Sequence, residues 1–539
     1  MAALAACAAC AASGTDRSSP SGGGGGTSAT AEPDAGEGGT GFDGGVPGDG
    51  GPVEDPASCE EAAEARTYVG CDFWPTVTAN AVWSIFDFAV VVANAGEQVA
   101  DVAVTRGGDG VASAKIAPNA LGTLYLPWVP KLKGLDSDEC GSSPPLLKSQ
   151  RLADGAYHLT SSVPVSVYQF NALEYAGQGG PPNKSWAKCP GKEMCPDTFG
   201  PIGCFSFSND ASLLLPSTAL GMHYRVTSRA GQSGSFVAIT GTENETEVTI
   251  MVSKTGSVLS GSGLSGKPAG SVSTFLLQAG EVVQAAAGAG KDLSGTLLKA
   301  TKPIQVLAGM PCVTVPAEAP ACDHVEESVF PAQTLGQHYL VARPTGPGGA
   351  PVGHEVHIYG NADATGLSYP AGKPKGAPAS IDAGAVVDLG IVEMDFEIKG
   401  DQAFAVGTYL QGGSVVDPGA MPGEQRGDPS QSLAVAVEQY RRKYIFLAPV
   451  DYEVNYVDVI QPLTAKVTLD GAQIPLGPAA LGNSGFGLLR LALGPGVSGA
   501  HVLAATEPVG IQVVGYGKYT SYQYPGGLDL RAIAPAPVK

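Results

Sequence analysis

Apolar residues recur at alternate positions through most of this chain, in short runs that end on Gly, Pro, Asn or Asp. Phe88, Val90 and Val92 alternate, Asn94-Ala95-Gly96 marks a turn, and Val99, Val102 and Val104 return. Phe236-Val237-Ala238-Ile239-Thr240 runs to a turn at Glu243-Asn244-Glu245, and Glu247-Val248-Thr249-Ile250-Met251-Val252 comes back. A period of two predicts strands, with Val237 and Ile239 on a buried face and their neighbours outward.

The pattern repeats. Pro216-Ser217-Thr218-Ala219-Leu220-Gly221-Met222-His223-Tyr224 returns as Pro331-Ala332-Gln333-Thr334-Leu335-Gly336-Gln337-His338-Tyr339, a shared P-x-x-x-L-G-x-H-Y frame. A second frame sets a proline before alternating apolar residues. Its copies are Val163-Pro164-Val165-Ser166-Val167, Lys302-Pro303-Ile304-Gln305-Val306 and Glu507-Pro508-Val509-Gly510-Ile511, with a degenerate version at Phe404–Tyr409. Proline has no donor for a strand ladder, so it belongs at a strand start or edge. A copied unit of this kind reads as a scaffold or binding surface rather than a single catalytic pocket. The expected fold is all-β: tandem β-sandwich-like units over 58–200 (with a Cys-rich loop), 201–324, 325–437 and 438–539, with a β-propeller as the alternative.

Composition adds limits. The chain has 539 residues, 75 Gly, 42 Pro and a net charge of −20. Acidity of this order argues against nucleic acid and anionic membrane surfaces as partners. Residues 12–57 are mostly Gly, Ser, Pro, Thr and Asp and read as a disordered linker, because they bury too little apolar area to offset ordering. Before them, within 1–11, Leu4-Ala5-Ala6-Cys7 resembles a bacterial lipobox, which implies a signal segment and a lipid anchor on Cys7. No stretch reads as a transmembrane helix.

Export to an oxidising compartment makes the eight remaining cysteines disulfide candidates: Cys59, Cys71, Cys140, Cys189, Cys195, Cys204, Cys312 and Cys322. Local pairing favours Cys59–Cys71 and Cys312–Cys322 and leaves three pairings open for Cys140, Cys189, Cys195 and Cys204. A zinc site on Cys189, Cys195 and Cys204 is the competing reading, but the usual C-x₂₋₄-C knuckle is absent.

One string is more specific than the rest: Cys312, Pro316, Cys322-Asp323-His324-Val325-Glu326-Glu327, then Pro331 and Leu335-Gly336-Gln337-His338-Tyr339. With the preceding Lys302-Pro303-Ile304-Gln305-Val306 strand and the opening Tyr68-Val69-Gly70-Cys71-Asp72-Phe73-Trp74, it resembles the N-terminal domain of the IgG Fc-binding protein family. Glu327 stands where the family often has Gln, and Leu335 where it often has Trp. Bacterial proteins with this domain are often lipoproteins or surface proteins. The resemblance implies an extracellular binding or adhesion role with a protein or glycan ligand.

The signature residues carry two readings. Asp323, His324, Glu326 and Glu327 form either a metal or acid–base cluster, or a loop in which Asp323 caps local amides and His324 bonds a neighbour. His223 and His338 are equivalent by repeat and read as packing residues. His354 and His357 point to opposite faces of a strand and cannot share a metal as helix neighbours do. The acidic stretch Asp136-Ser137-Asp138-Glu139 reads as a solvated loop rather than a calcium site. Tyr516, Tyr519, Tyr522 and Tyr524 read as a last strand with one buried face, the alternative being a carbohydrate-facing platform. No catalytic, cofactor or metal residue is assigned. The reading is a non-enzymatic, exported binding or adhesion protein. An exported polysaccharide hydrolase using Asp323 and Glu327, and a structural envelope spacer, are the alternatives.

Overall fold

In the computed structural model the described residues are 55–94, 96–142, 148–195, 200–319, 322–421, 423–494, 496 and 499–538. Cys7, and the 12–57 linker but for its last three residues, lie outside them.

Four units share one antiparallel sheet order: partner strand, central strand, long strand, inner strand. In unit 1 the central strand β1 (Phe88–Asn94) lies between β2 (Ala120–Leu126) and the long β3 (His158–Asn171), and β3 pairs with the inner β4 (Ala211–Leu214). Unit 2 repeats this with β5 (Phe236–Gly241), β6 (Val282–Ala286), the long β7 (Leu297–Val313) and the inner β8 (Asp323–Ser328). Unit 3 uses β9 (His354–Gly360), β10 (Val386–Val392), β11 (Phe404–Tyr409) and β12 (Gln431–Leu433). Unit 4 uses β13 (Val454–Pro462), β14 (Phe486–Leu493), the long β15 (Ala500–Gly517) and β16 (Thr520–Pro525).

Each unit is two-layered. In unit 3 a second sheet holds His338–Val341, Thr365–Ser368 and Phe396–Gly400. Tyr339, Leu367, Phe396 and Ile398 from that sheet close a core with Val356, Ile358, Phe404 and Val406 from the first. The long strands of units 1, 2 and 4 serve both layers. Leu297–Ala300 of β7 pairs with Thr246–Met251, and Ile304–Gly309 pairs with β5. Between them, at Thr301-Lys302-Pro303, the pairing of β7 with Gly221–Arg225 slips register. Proline cannot donate there, and a slip lets the strand bend from one sheet to the other.

The sequence expectation of outward polar neighbours fails for the central strands. Every residue of Phe236–Gly241 is buried. Val237 and Ile239 face their own unit's core, whereas Ala238 packs with Val90, Val167 and Phe73 of unit 1. The second face of each sheet meets a neighbouring unit rather than water.

The inner strands decide the arrangement. β4 touches β8, β8 touches β12, β12 touches β16 and β16 touches β4. The four units therefore close a ring of sandwiches around these strands. Closure joins the two ends of the folded chain: the Tyr68 amide donates to the Leu528 carbonyl at 3.2 Å, and Thr67 bridges Asp529.

The repeated P-x-x-x-L-G-x-H-Y frame explains unit-to-unit spacing. The Tyr224 hydroxyl accepts from the Gly221 amide at 2.8 Å and donates to the Ile304 carbonyl at 2.6 Å. Tyr339 does the same with Gly336 and Phe404, and Tyr444 with Arg441 and Val509. Glycine is needed beside it because the next frame's proline arrives there. A Cβ on Gly221 would lie 2.7 Å from Pro331 Cβ, and one on Gly70 would lie 2.4 Å from Pro216 Cβ.

Candidate functional site: the loop end of the ring

Each long strand must cross to its inner strand, and the four connections meet at one end of the ring. They are residues 172–210, 314–322, 410–430 and the tight turn Lys518-Tyr519. The Gly412 amide donates to the Val315 carbonyl at 2.8 Å, joining the second and third connections. Arg426 bridges Lys518, and the Tyr519 hydroxyl donates to the Gly423 carbonyl at 2.6 Å, joining the third and fourth. Tyr519 packs edge-on against Phe205 and at a tilt against Phe207, joining the fourth to the first.

Three of the four disulfides stiffen this end. Cys312–Cys322 closes the second connection; Cys189–Cys204 closes the first, and Cys140–Cys195 ties it to the segment after Lys133. Cys59–Cys71 pins the short helix at Cys59–Ala65 to the start of unit 1. With these sulfurs in disulfides, no thiolate remains for zinc on Cys189, Cys195 and Cys204. A cross-link that shortens the accessible unfolded loop holds the rim in place.

The signature residues lie beneath this end. Asp323, His324, Glu326 and Glu327 form strand β8 and are fully buried, not in a loop as the sequence suggested. The inner strand is walled by its neighbours on both faces, so its alternation carries no solvent side. Glu326 turns to unit 1. Its carboxylate accepts from Thr78 Oγ1 at 2.5 Å, Gln169 Nε2 at 2.7 Å, Asn171 Nδ2 at 3.3 Å and Ser212 Oγ at 3.3 Å. His324 Nε2 lies 3.2 Å from Asn171 Nδ2. Asp323 Oδ1 accepts from the His324 amide at 2.7 Å, the local cap expected of it. Pro316 sits in the half-exposed tip of the Cys312–Cys322 connection.

Burial and the nearby Asp428 and Asp210 push the Asp323 carboxyl well above its usual range. Burial does the same to Asp210, Asp428 and Glu327. Among the described residues no lysine or arginine pairs with any of the four, so burial disfavours their charged forms. At Asp210 donors partly offset this: it accepts from Ser430 Oγ at 2.7 Å and from the Gln431, Glu326 and Ala211 amides at 2.9–3.0 Å. It thereby ties the inner strands of units 1, 2 and 3. Neither Asp323 nor Glu327 faces a cleft, so the acid–base pair required by the hydrolase reading has no substrate side.

The remaining expected residues scatter. His223 Nδ1 meets Gln333 Nε2 at 3.3 Å, and His338 Nε2 meets Glu397 Oε1 at 2.8 Å. His354 is buried, and burial lowers it to about 4, a neutral core imidazole. Asp136 holds Lys133 at 2.7 Å, Asp138 caps the Cys140 and Ser142 amides at 2.9 Å, and Glu139 accepts from the Gly191 amide at 2.7 Å. These acids are committed to protein donors. Tyr516, Tyr522 and Tyr524 are fully buried, so the C-terminal tyrosines build core on both faces rather than a platform.

What the sequence did not reveal is the exposed apolar content of the loop end. Met194 and Met421 are 71% and 73% exposed, and Leu135 and Val415 are exposed beside the same connections. Lys184 lies 4.4 Å from the Trp186 ring and pairs with Asp87. Methionine side chains adapt to varied apolar partners, so these residues offer exposed apolar contact area at the loop end.

Comparison with known proteins agrees with the signature. The family described as IgGFc binding protein matches residues 210–515. A human protein named IgGFc-binding protein is 27% identical over 333 residues, covering 58% of this chain and 6% of its own length. No solved structure matches. The matched region begins at Asp210 on the edge of β4 and runs through the signature strand to the end of β15, and on that match the chain belongs to the IgGFc binding protein family.

Proposed function

We propose that this chain is an exported binding protein that recognises an extracellular protein, or a glycan carried on one, through the loop end of its ring. The observation that carries this reading is the convergence of all four long-to-inner connections, two of them tied by three disulfides, with exposed Met194 and Met421 among them. Family membership supports a binding role, and the name of the human relative records binding of IgG Fc by that protein. Four disulfides favour an oxidising compartment. Lipidation at Cys7 would then place the ring on a tether of some tens of residues, held away from a membrane surface.

The test is a panel of immobilised extracellular proteins, IgG Fc among them, and glycans, probed with the full chain. Saturable binding is expected to fall at least about tenfold in the Met194→Glu, Met421→Glu double variant, because charge in an apolar contact must be desolvated. Absence of binding throughout the panel supports the spacer reading instead. Binding that survives the double variant moves the site off the loop end.

A further inference from the structure

One cross-strand position differs among the units in a way the scaffold does not require. Opposite the long strand, unit 1 pairs Val91 with Thr123, unit 2 pairs Ala238 with Gln284, and unit 4 pairs Asp458 with Arg490. Unit 3 pairs His357 with Asp388. Here the long-strand residue facing the histidine is Gly407, where the sister units have Tyr168, Leu307 and Gln512. A register slip between Glu355 and His357 in this ladder brings Glu355 onto the same group. His357 Nε2 lies 2.9 Å from Glu355 Oε1 and 3.4 Å from Asp388 Oδ1, and one ligand atom from each of the three side chains falls within 4.8 Å of the others.

We infer that Glu355, His357 and Asp388 form a binding site for a divalent transition ion of the zinc class. Zinc takes imidazole nitrogen and carboxylate oxygen at about 2.0–2.2 Å. An ion at that distance from Nε2, Oε1 and Oδ1 spans the observed separations of 2.9 and 3.4 Å without moving the strands. All three ligands stand on neighbouring strands rather than loops, which fixes their geometry. Glu355 and His357 are buried, whereas Asp388 is 57% exposed and leaves an entry side for the ion and its water. Two of the three ligands have outer partners: Arg229 holds both Glu355 oxygens, Nη2 to Oε2 at 3.0 Å and Nε to Oε1 at 2.8 Å, and the Gly390 amide donates to Asp388 Oδ1 at 2.7 Å, whereas His357 Nδ1 has no hydrogen-bond partner among the described residues. Arg229 also donates to the Thr314 carbonyl at 3.1 Å, so the ion site abuts the Cys312–Cys322 connection of the loop end. The arginine's charge on Glu355 weakens the attraction of the site for a cation.

Calorimetric titration of the chelator-treated, dialysed full chain with zinc chloride tests this. One saturable site is expected, with Kd on the order of 10 µM, together with a zinc-dependent rise in Tm. Both should weaken at least about tenfold in His357→Ala and in Asp388→Ala, the second being half-exposed and safe for folding. Magnesium is expected to give no comparable response, because it prefers an all-oxygen octahedral shell. No saturable zinc binding up to about 1 mM, unchanged binding in Asp388→Ala, or an equal response to magnesium would each overturn the assignment.

Discussion

Glu326 of the second unit accepts a hydrogen bond from Gln169 of the first at 2.7 Å, deep beneath the ring's loop end. The same carboxylate takes Thr78, Asn171 and Ser212, all from segments of unit 1 or its inner strand. A conspicuous acid of the signature string is therefore a clamp between units. Glu326→Ala leaves several buried donors without an acceptor and is expected to destabilise the fold by about 2–4 kcal/mol, read as a lowered midpoint in denaturant unfolding. Unchanged stability would show that these donors find other partners.

Gly221→Ala probes unit spacing. Its Cβ would meet Pro331 Cβ at 2.7 Å. The frame proline of unit 3 cannot retreat without shifting the strand it begins, so a loss of about 1–3 kcal/mol is expected. Ala at exposed Gly348, which has open space, serves as the matched control.

Removing only the hydroxyl of the repeated tyrosine should cost less. Tyr339→Phe deletes a bond to the Phe404 carbonyl at 2.6 Å and leaves the ring packing intact. The expected loss is about 1 kcal/mol in thermal or denaturant unfolding. The first unit tolerates the change naturally, for Phe73 occupies the equivalent place at the end of Val69-Gly70-Cys71-Asp72.

The Cys312→Ser, Cys322→Ser double variant opens a loop of sequence separation 10. Loop-closure entropy of that size amounts to about 2–3 kcal/mol. Ligand binding in the panel is expected to weaken alongside stability, since this loop is part of the rim.

Stability should also fall toward alkaline pH. Burial, helped by the nearby Asp87 carboxylate, raises Glu174 from 4.5 to about 8. Between those values the folded chain keeps a proton that the unfolded chain releases. This contribution is therefore complete below the window and disappears as pH rises through it. Asp451 and Asp458, raised by burial to about 6, act in the same direction. Tm measured from about pH 5 to about pH 9 should decline, and Glu174→Gln should flatten the part of the decline below about pH 8. An unaltered slope in that variant would remove Glu174 as its source.

The residues themselves determined the element type and the repeat. Alternation at Phe88–Val92 and Phe236–Thr240, the two P-x-x-x-L-G-x-H-Y frames and the proline frame in the long strands of units 1, 2 and 4 are local rules, written in periods of two and in backbone chemistry. The family signature was legible for the same reason, as a contiguous string. Only the tertiary structure decided what those residues face. Ala238 is buried by another unit, Asp323 and Glu326 sit in an inner strand walled on both sides, and Glu355, His357 and Asp388 meet through strand register. A local pattern specifies which residues leave water. Which surface replaces the water depends on how four copies close on one another, and that is a long-range contact no single window of sequence contains.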